Sequence, residues 1–298
     1  MSVLEKILVY LRMMRPANVV TSVADVLAGA AIAGVFSAEI FKDHLQAVIM
    51  LCFSTACLYG GGIVFNDVFD ADLDKIERPE RAIPSGRVSQ QQASVFGSIL
   101  LLAGIISAGL VSAVSASLAV AISLFALLYN KISKHHPFWG PLNMGLCRGL
   151  NLLLGMSILT ATLQQLYFLA IVPIVYIFSI TMISRGEVHG GGRRNLYIAA
   201  ILYGIVTGFI LYFSYLNDKL LLSAIILIPF LWMIFKPLIK AIQNPVGKNI
   251  GGAVKAGVIS LILMDAAWAA TFSTIYAALI IACLLPLSIW LAKIFAVT

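Results

Sequence analysis

Ten apolar runs alternate with polar stretches along this chain, at about residues 17–37, 45–65, 93–113, 114–132, 141–161, 164–183, 197–216, 219–236, 253–272 and 274–294. Most approach the ~20 residues that a helix needs to cross ~30 Å of hydrocarbon. Within lipid every backbone N–H and C=O must find an internal partner, so isolated runs of this length predict helices. The expected fold is all-α, a polytopic integral-membrane helical bundle with nine or ten transmembrane helices. Nine enters because only a short Thr-Phe-Ser stretch joins the last two runs. The whole chain, 1–298, reads as one membrane domain. Ahead of the first run, Leu4, Ile7, Leu8 and Leu11 share a helical face, with Glu5, Lys6 and Arg12 elsewhere. That pattern predicts an interfacial helix over residues 1–16.

The polar stretches are unequal. Those at 66–92, 131–140, 184–196 and 237–252 are substantial, and those on the opposite side are very short. With ten spans, 17 of the 20 Lys and Arg fall on the elaborated side, together with both termini. Lys42 and Lys219 lie opposite, and Arg148 falls inside a span. Positive charge marks the cytoplasmic side, so the long loops, and any chemistry they carry, are expected there. Composition agrees: the chain is 61% hydrophobic and 11% charged, against roughly 25% charged in soluble domains. The net charge of +7 is then a topology signal, and nucleic acid is not an expected partner; membrane lipid is. Four cysteines, Cys52, Cys57, Cys147 and Cys283, all sit in apolar runs and read as small core residues.

One polar stretch stands apart. Residues 66–87, NDVFDADLDKIERPERAIPSGR, hold six of the 13 acidic residues. On a helix, Asp67, Asp70 and Asp74 share a face at i, i+3 and i+7, and Asn66 lies beside Asp70. Three carboxylates on one face repel unless a cation joins them. Clustered carboxylates suit Mg²⁺, which keeps some of its waters and bridges to substrate phosphates. A Ca²⁺ loop fits less well, since the glycine of its sharp turn is missing. Asp72 points off the shared face. Pro79 and Pro84 should end the helix and leave a lid-like loop.

This N-D-x-x-D-x-x-x-D run, followed by R-P-x-R-x-x-P-x-G, resembles the first aspartate-rich motif of the UbiA superfamily of intramembrane prenyltransferases. Arg15-Pro16-Ala17-Asn18 is similar to the family's R-P-x-N, and Tyr129-Asn130-Lys131 to its tyrosine and lysine at the end of the fourth span. The loop after the sixth span departs from the family. Where paired aspartates are expected, Ser184-Arg185-Gly186-Glu187-Val188-His189-Gly190-Gly191 offers one acid. That form, with the CRGLNLLLG run at 147–155, resembles the UbiA-like (EboC) subgroup of ebo-type biosynthetic clusters. The resemblance implies Mg²⁺-dependent transfer of a prenyl group from a prenyl diphosphate donor to a small-molecule acceptor, with release of diphosphate. The subgroup implies a cyclitol or other polyol-derived acceptor, with an aromatic one as the alternative. A reading from another class is a non-catalytic isoprenoid-binding relative that aids metabolite export, motivated by the reduced second motif. The D-G-x-x-A-R signature of CDP-alcohol phosphotransferases is absent from the chain.

The candidate roles follow. Asp67, Asp70 and Asp74 are the metal ligands. Arg15, Asn18, Asn66, Arg78, Lys131, Arg148, Asn151 and Arg185 are candidates for holding diphosphate or substrate. Glu187 either completes a second metal site or accepts the acceptor's proton, and His189 is a candidate base. Arg148 is costly inside a membrane and must face a partner. Asn151 at i+3 shares its face, so the strip either lines a pocket or locks helices together. Asn18 and Asp25 share a face of the first span, and Asp265 stands alone in a late span with no assigned role.

Overall fold

Why the chain folds around one end of the bundle is visible in the helix boundaries. The structure is a computed structural model that describes residues 2–187 and 190–295; among them no strand occurs. Helix α1 (Val3–Met13) opens on a capping box between Ser2 and Glu5. Its buried side carries Val9 and Met13, while Leu4, Ile7, Leu8 and Leu11 face outward. Arg15 then turns the chain with φ +50°, and Pro16 begins α2 (Pro16–Ile32). Proline suits this position, because the first helical N–H has no intrahelical acceptor.

Helix α3 (Phe41–Phe69) is long and stops at Asp70, which separates it from the short α4 (Ala71–Glu77). The three aspartates therefore do not ride on one continuous helix, as their spacing predicts. Arg78, preceding Pro79, leaves the helical region with φ −146° and ψ 62°, as a residue before proline is disfavoured in the α conformation. Helix α5 (Gln90–Gly109) starts at a Ser89/Gln92 capping box. Helix α6 (Ala113–Leu128) runs into a π-helical turn, Tyr129–Ser133. Next come α7 (Trp139–Met156) and α8 (Thr160–Leu166), and a 3₁₀ turn joins α8 to α9 (Ile171–Ser184). The last third holds α10 (Arg193–Leu216), α11 (Leu220–Gln243), α12 (Gly247–Phe272), α13 (Ile275–Ala282) and α14 (Leu284–Ile294).

Among the described residues, eight helical segments are long and apolar enough to cross a membrane. With α2 and α7 they match the ten apolar runs in order. Helix α2 has only 17 residues and α7 carries Asn143, Arg148 and Asn151, while the last two runs form separate segments, Gly247–Phe272 and Ile275–Ile294. Helices α2 and α7 pack on each other through glycines. A Cβ on Gly29 would come within 2.9 Å of the Gly155 backbone, and one on Gly155 equally near that of Val26. Small residues let membrane helices approach this closely. The α9–α12 half is filled with aromatics: Tyr176, Tyr203, Phe230 and Trp268 are fully buried, and the Tyr176 hydroxyl donates to Gly257 O (2.8 Å). The half built from α2, α3, α6 and α7 is hollow instead. Helix α14 closes the bundle against α2, where Ser288 Oγ donates to Ala17 O (2.9 Å).

Candidate active site

A cavity of about 350 Å³ opens between α2, α3, α6 and α7 at the end where α3 meets α4. Helix α3 supplies Thr55, Tyr59, Gly62 and Asn66, spaced so that one face looks into it. From Asn66 to Thr55 the helix descends about 16 Å. Arg15, Asn18, Arg78, Lys134 and Glu187 line the cavity with Asn66, and Arg148 and Asn151 line it with Thr55. Between these groups the wall is largely apolar, with Leu58, Ile63, Ile122, Ala126 and Met144.

At the rim the acidic residues are gathered by cations. Asp67 Oδ1 accepts from Arg15 Nη2 (3.1 Å) and Arg81 Nη1 (3.3 Å), and Arg81 Nη1 also donates to Asp74 Oδ2 (2.7 Å). Asp70, at the helix break, pairs with Lys134 Nζ instead. Asp67 and Asp74 thus meet at one guanidinium and Asp70 turns to another partner. Among the described residues no three acidic, histidine or cysteine side chains stand together as a ready metal site. The donor chemistry nevertheless fits Mg²⁺. Three buried carboxylates and the Asn66 amide are hard oxygen ligands, and side-chain cations already neutralise the carboxylates. Asn66 Nδ2 donates to Asn130 Oδ1 (3.0 Å), and Asn130 Nδ2 to Gly62 O (2.9 Å). Asp72 is exposed and, among the described residues, pairs with Lys75 (2.7 Å).

Two expected clamps fall elsewhere. Lys131 is exposed and does not line the cavity; Lys134 does. The π turn is the physical reason. Its wider winding carries Lys134 beneath Tyr129, to whose carbonyl it is hydrogen-bonded (3.0 Å). Asn143 holds the turn: with its amide oriented to satisfy both groups, its oxygen accepts from Tyr129 N (3.2 Å) and Ser133 Oγ (2.9 Å). Arg185 is also exposed, and its Nη1 donates to His135 O (3.1 Å) outside the cavity. Glu187 is half-buried and lines the cavity. Burial lifts its carboxyl above the usual glutamate range, and Arg78 opposes that rise. His189 lies outside the described residues.

The cavity floor is a buried polar network in which, of the two Asp25 carboxylate oxygens, Oδ1 alone lacks a hydrogen-bond partner among the described residues. Arg148 Nη1 donates to Asp25 Oδ2 (2.7 Å), and Nη2 to Thr21 Oγ1 (2.8 Å). Its guanidinium lies 4.7 Å from the Tyr59 ring centre. Asn151 Nδ2 donates to Asp25 Oδ2 (2.9 Å) and Ser22 O (2.8 Å), and Thr55 Oγ1 donates to Asn151 Oδ1 (2.6 Å). Asp265 is not alone: it is buried beside Asp25, across the α2–α12 contact. Sequence reasoning passed over four residues of the site. Arg81 was in view as the second arginine of the R-P-x-R run. Lys134 lies four residues after Asn130. Tyr59 and Thr55 lie seven and eleven residues before Asn66, on its face.

Residues 26–249 match the UbiA prenyltransferase family. The chain is 30% identical over 208 residues to a digeranylgeranylglyceryl phosphate synthase of Methanothrix thermoacetophila, covering 66% of this chain and 76% of that protein. Against a digeranylgeranylglyceryl phosphate synthase of Methanosarcina mazei it is 40% identical over 99 residues, 33% of this chain and only 34% of the relative's length. Its fold is similar to that of a UbiA homolog from Archaeoglobus fulgidus solved with DMAPP and Mg²⁺. The TM-score is 0.61 at 15% identity, covering 85% of this chain and 98% of that one.

Proposed function

The chain belongs to the UbiA prenyltransferase family and is a multi-pass membrane prenyltransferase, and on that premise we propose that it moves a prenyl group from a prenyl diphosphate to a hydroxyl of a small polyol-derived acceptor. The observation that carries this reading is the cavity itself, with charged clamps at its rim and an apolar wall below them. Asp67, Asp70, Asp74 and Asn66 would hold Mg²⁺. When bound, the ion supplies Lewis-acid neutralisation of the diphosphate charge. Arg15, Arg78 and Lys134 bind the diphosphate oxygens, so charge that grows on the leaving group meets preorganised donors. Asn130 keeps the Asn66 amide oriented. Leu58, Ile63, Ile122 and Ala126 surround the allylic carbon and keep water from the developing cation. The donor's C–O bond breaks, the acceptor oxygen forms the new one, and Glu187 takes the hydroxyl proton. Its raised affinity for protons suits it to that task.

The polyol assignment draws on two sources: the ebo-like 184–191 and 147–155 segments, and the glyceryl phosphate products named for the relatives. The rim faces the cytoplasm in this reading, because 17 of 20 basic residues gather on its side.

The test is direct. Purified protein is supplied with Mg²⁺, radiolabelled geranylgeranyl diphosphate, and either polyol or aromatic acceptors. Organic-soluble label that needs Mg²⁺ and a polyol is expected. Asp67→Ala and Asp70→Ala should abolish Mg²⁺-dependent binding of a prenyl diphosphate analogue. Label appearing only with aromatic acceptors would reassign the acceptor. Unchanged binding in both variants would remove the metal assignment.

A further inference from the structure

A second cavity, of about 330 Å³, lies beside the rim and shares Arg15 with the first. It is bounded by α1, the loop after α4 and the end of α14. Four guanidiniums line it, from Arg12, Arg15, Arg81 and Arg87, along with the carboxylates of Asp67 and Glu80. Arg15 and Arg81 are engaged by Asp67, and Arg81 also by Asp74. Arg12 and Arg87 have no carboxylate partner among the described residues. Arg87 instead donates to Ser85 Oγ (2.9 Å) and to the Glu80 carbonyl. Even counting Asp74, four positive charges meet three negative ones, so the cavity is short of one anion or more.

Its other wall is apolar. Val9 and Met13 contribute from α1, and Ile294 and Phe295 from the chain's last described turn. A free inorganic anion gains nothing from such a wall. Helix α1 sets the level at which the cavity opens. Its Leu4, Ile7, Leu8 and Leu11 face is turned outward, as in helices lying at the boundary between headgroups and acyl chains. Arginine matches phosphate with paired N–H donors, and basic pockets at this level receive lipid headgroups.

We propose that this second cavity binds the phosphate headgroup of a membrane lipid, with the guanidiniums of Arg12 and Arg87 on the phosphate and the first acyl carbons against Val9 and Phe295. Arg15 borders both cavities, so the headgroup and the occupant of the reaction cavity draw on one cation. Occupancy of the two is coupled, and the coupling is reciprocal. The binding site itself holds whether or not the assigned reaction does.

Full-length protein in zwitterionic nanodiscs is titrated with phosphatidic acid, and bound lipid is read by native mass spectrometry. One saturable phosphatidic acid is expected per chain. The Arg12→Gln/Arg87→Gln double variant should bind it roughly 30-fold more weakly, with an unchanged thermal midpoint showing that it is folded. Lys240→Gln/Lys248→Gln, which removes two exposed lysines from the facing ends of α11 and α12, should bind like wild type. Equal affinity in the arginine double variant would overturn the proposal, as would equal loss in the lysine variant, which marks diffuse surface attraction. Displacement by inorganic phosphate at equal concentration would also overturn it, and would identify a free-phosphate site.

Discussion

The two ends of the reaction cavity use the same chemistry to opposite purposes. At the rim, arginine and lysine meet aspartates on α3, at the helix break and on α4. The Arg15 side chain keeps 24% of its exposure and Lys134 23%. At the floor, Arg148 and Asp25 are 4% and 1% exposed, and Thr21, Asn151 and the Tyr59 ring occupy the remaining directions. Asp67 and Asp70 can exchange Arg15 and Lys134 for another cation, because water reaches those two side chains, whereas the Arg81–Asp74 pair, 9% and 3% exposed, is more enclosed. The floor pair cannot, because separating it strands a charge in hydrocarbon. An ion pair by itself therefore says little about function; solvent access decides which kind it is.

The largest effect should come from breaking the floor. Arg148→Ala leaves Asp25 without its counter-ion and should lower stability by about 3–5 kcal/mol, read as a fall in the thermal midpoint in detergent. Asp67→Asn at the rim should cost less than that, because the amide oxygen can still accept from Arg15, whose side chain is 24% exposed. Comparable losses in the two variants would erase the distinction.

Within the rim, Lys134→Gln should lower turnover by about 10²–10³-fold, the usual effect of losing one preorganised charge-stabilising donor. Lys131→Gln should remain within about twofold, since an exposed lysine away from the diphosphate contributes little. The reverse order in an initial-rate assay would restore the motif-based assignment to Lys131.

That contrast shows what was legible in the sequence. Apolar runs announced the helices, because lipid allows the backbone few alternatives. The motif at 66–87 located the rim, because six acids in 22 residues of an apolar chain have few structural uses. The break at Asp70 was not legible. No glycine or proline marks it, and its partner Lys134 lies 64 residues away. The π turn that brings Lys134 inward likewise depends on Asn143 from the next helix, and Asp265 acquires its neighbour only when α12 packs on α2.

The smallest effect tests how closed the rim is. Glu187 holds its proton more tightly in the folded protein than its ordinary value of 4.5. Folding therefore favours the protonated form. Stability should be greatest below pH 4.5, decline as pH rises toward the raised folded value, and level off above it. Glu187→Gln should remove this slope in thermal midpoints measured across that range. An identical slope in the variant would place the titrating group elsewhere.

The floor pair also constrains how the protein is made. Asp25 and Arg148 stand 123 residues apart, and they sit on the two helices that fall outside the eight apolar enough and long enough to insert on those grounds alone. A charge at the centre of an inserting helix costs about 2.5–3.5 kcal/mol. When α2 leaves the ribosome, the arginine that will neutralise its aspartate has not yet been translated. Membrane integration of α2 is therefore completed by a helix from the middle of the chain, and a chain truncated before α7 would carry an N-terminal segment with an unanswered charge and no stable place in the bilayer.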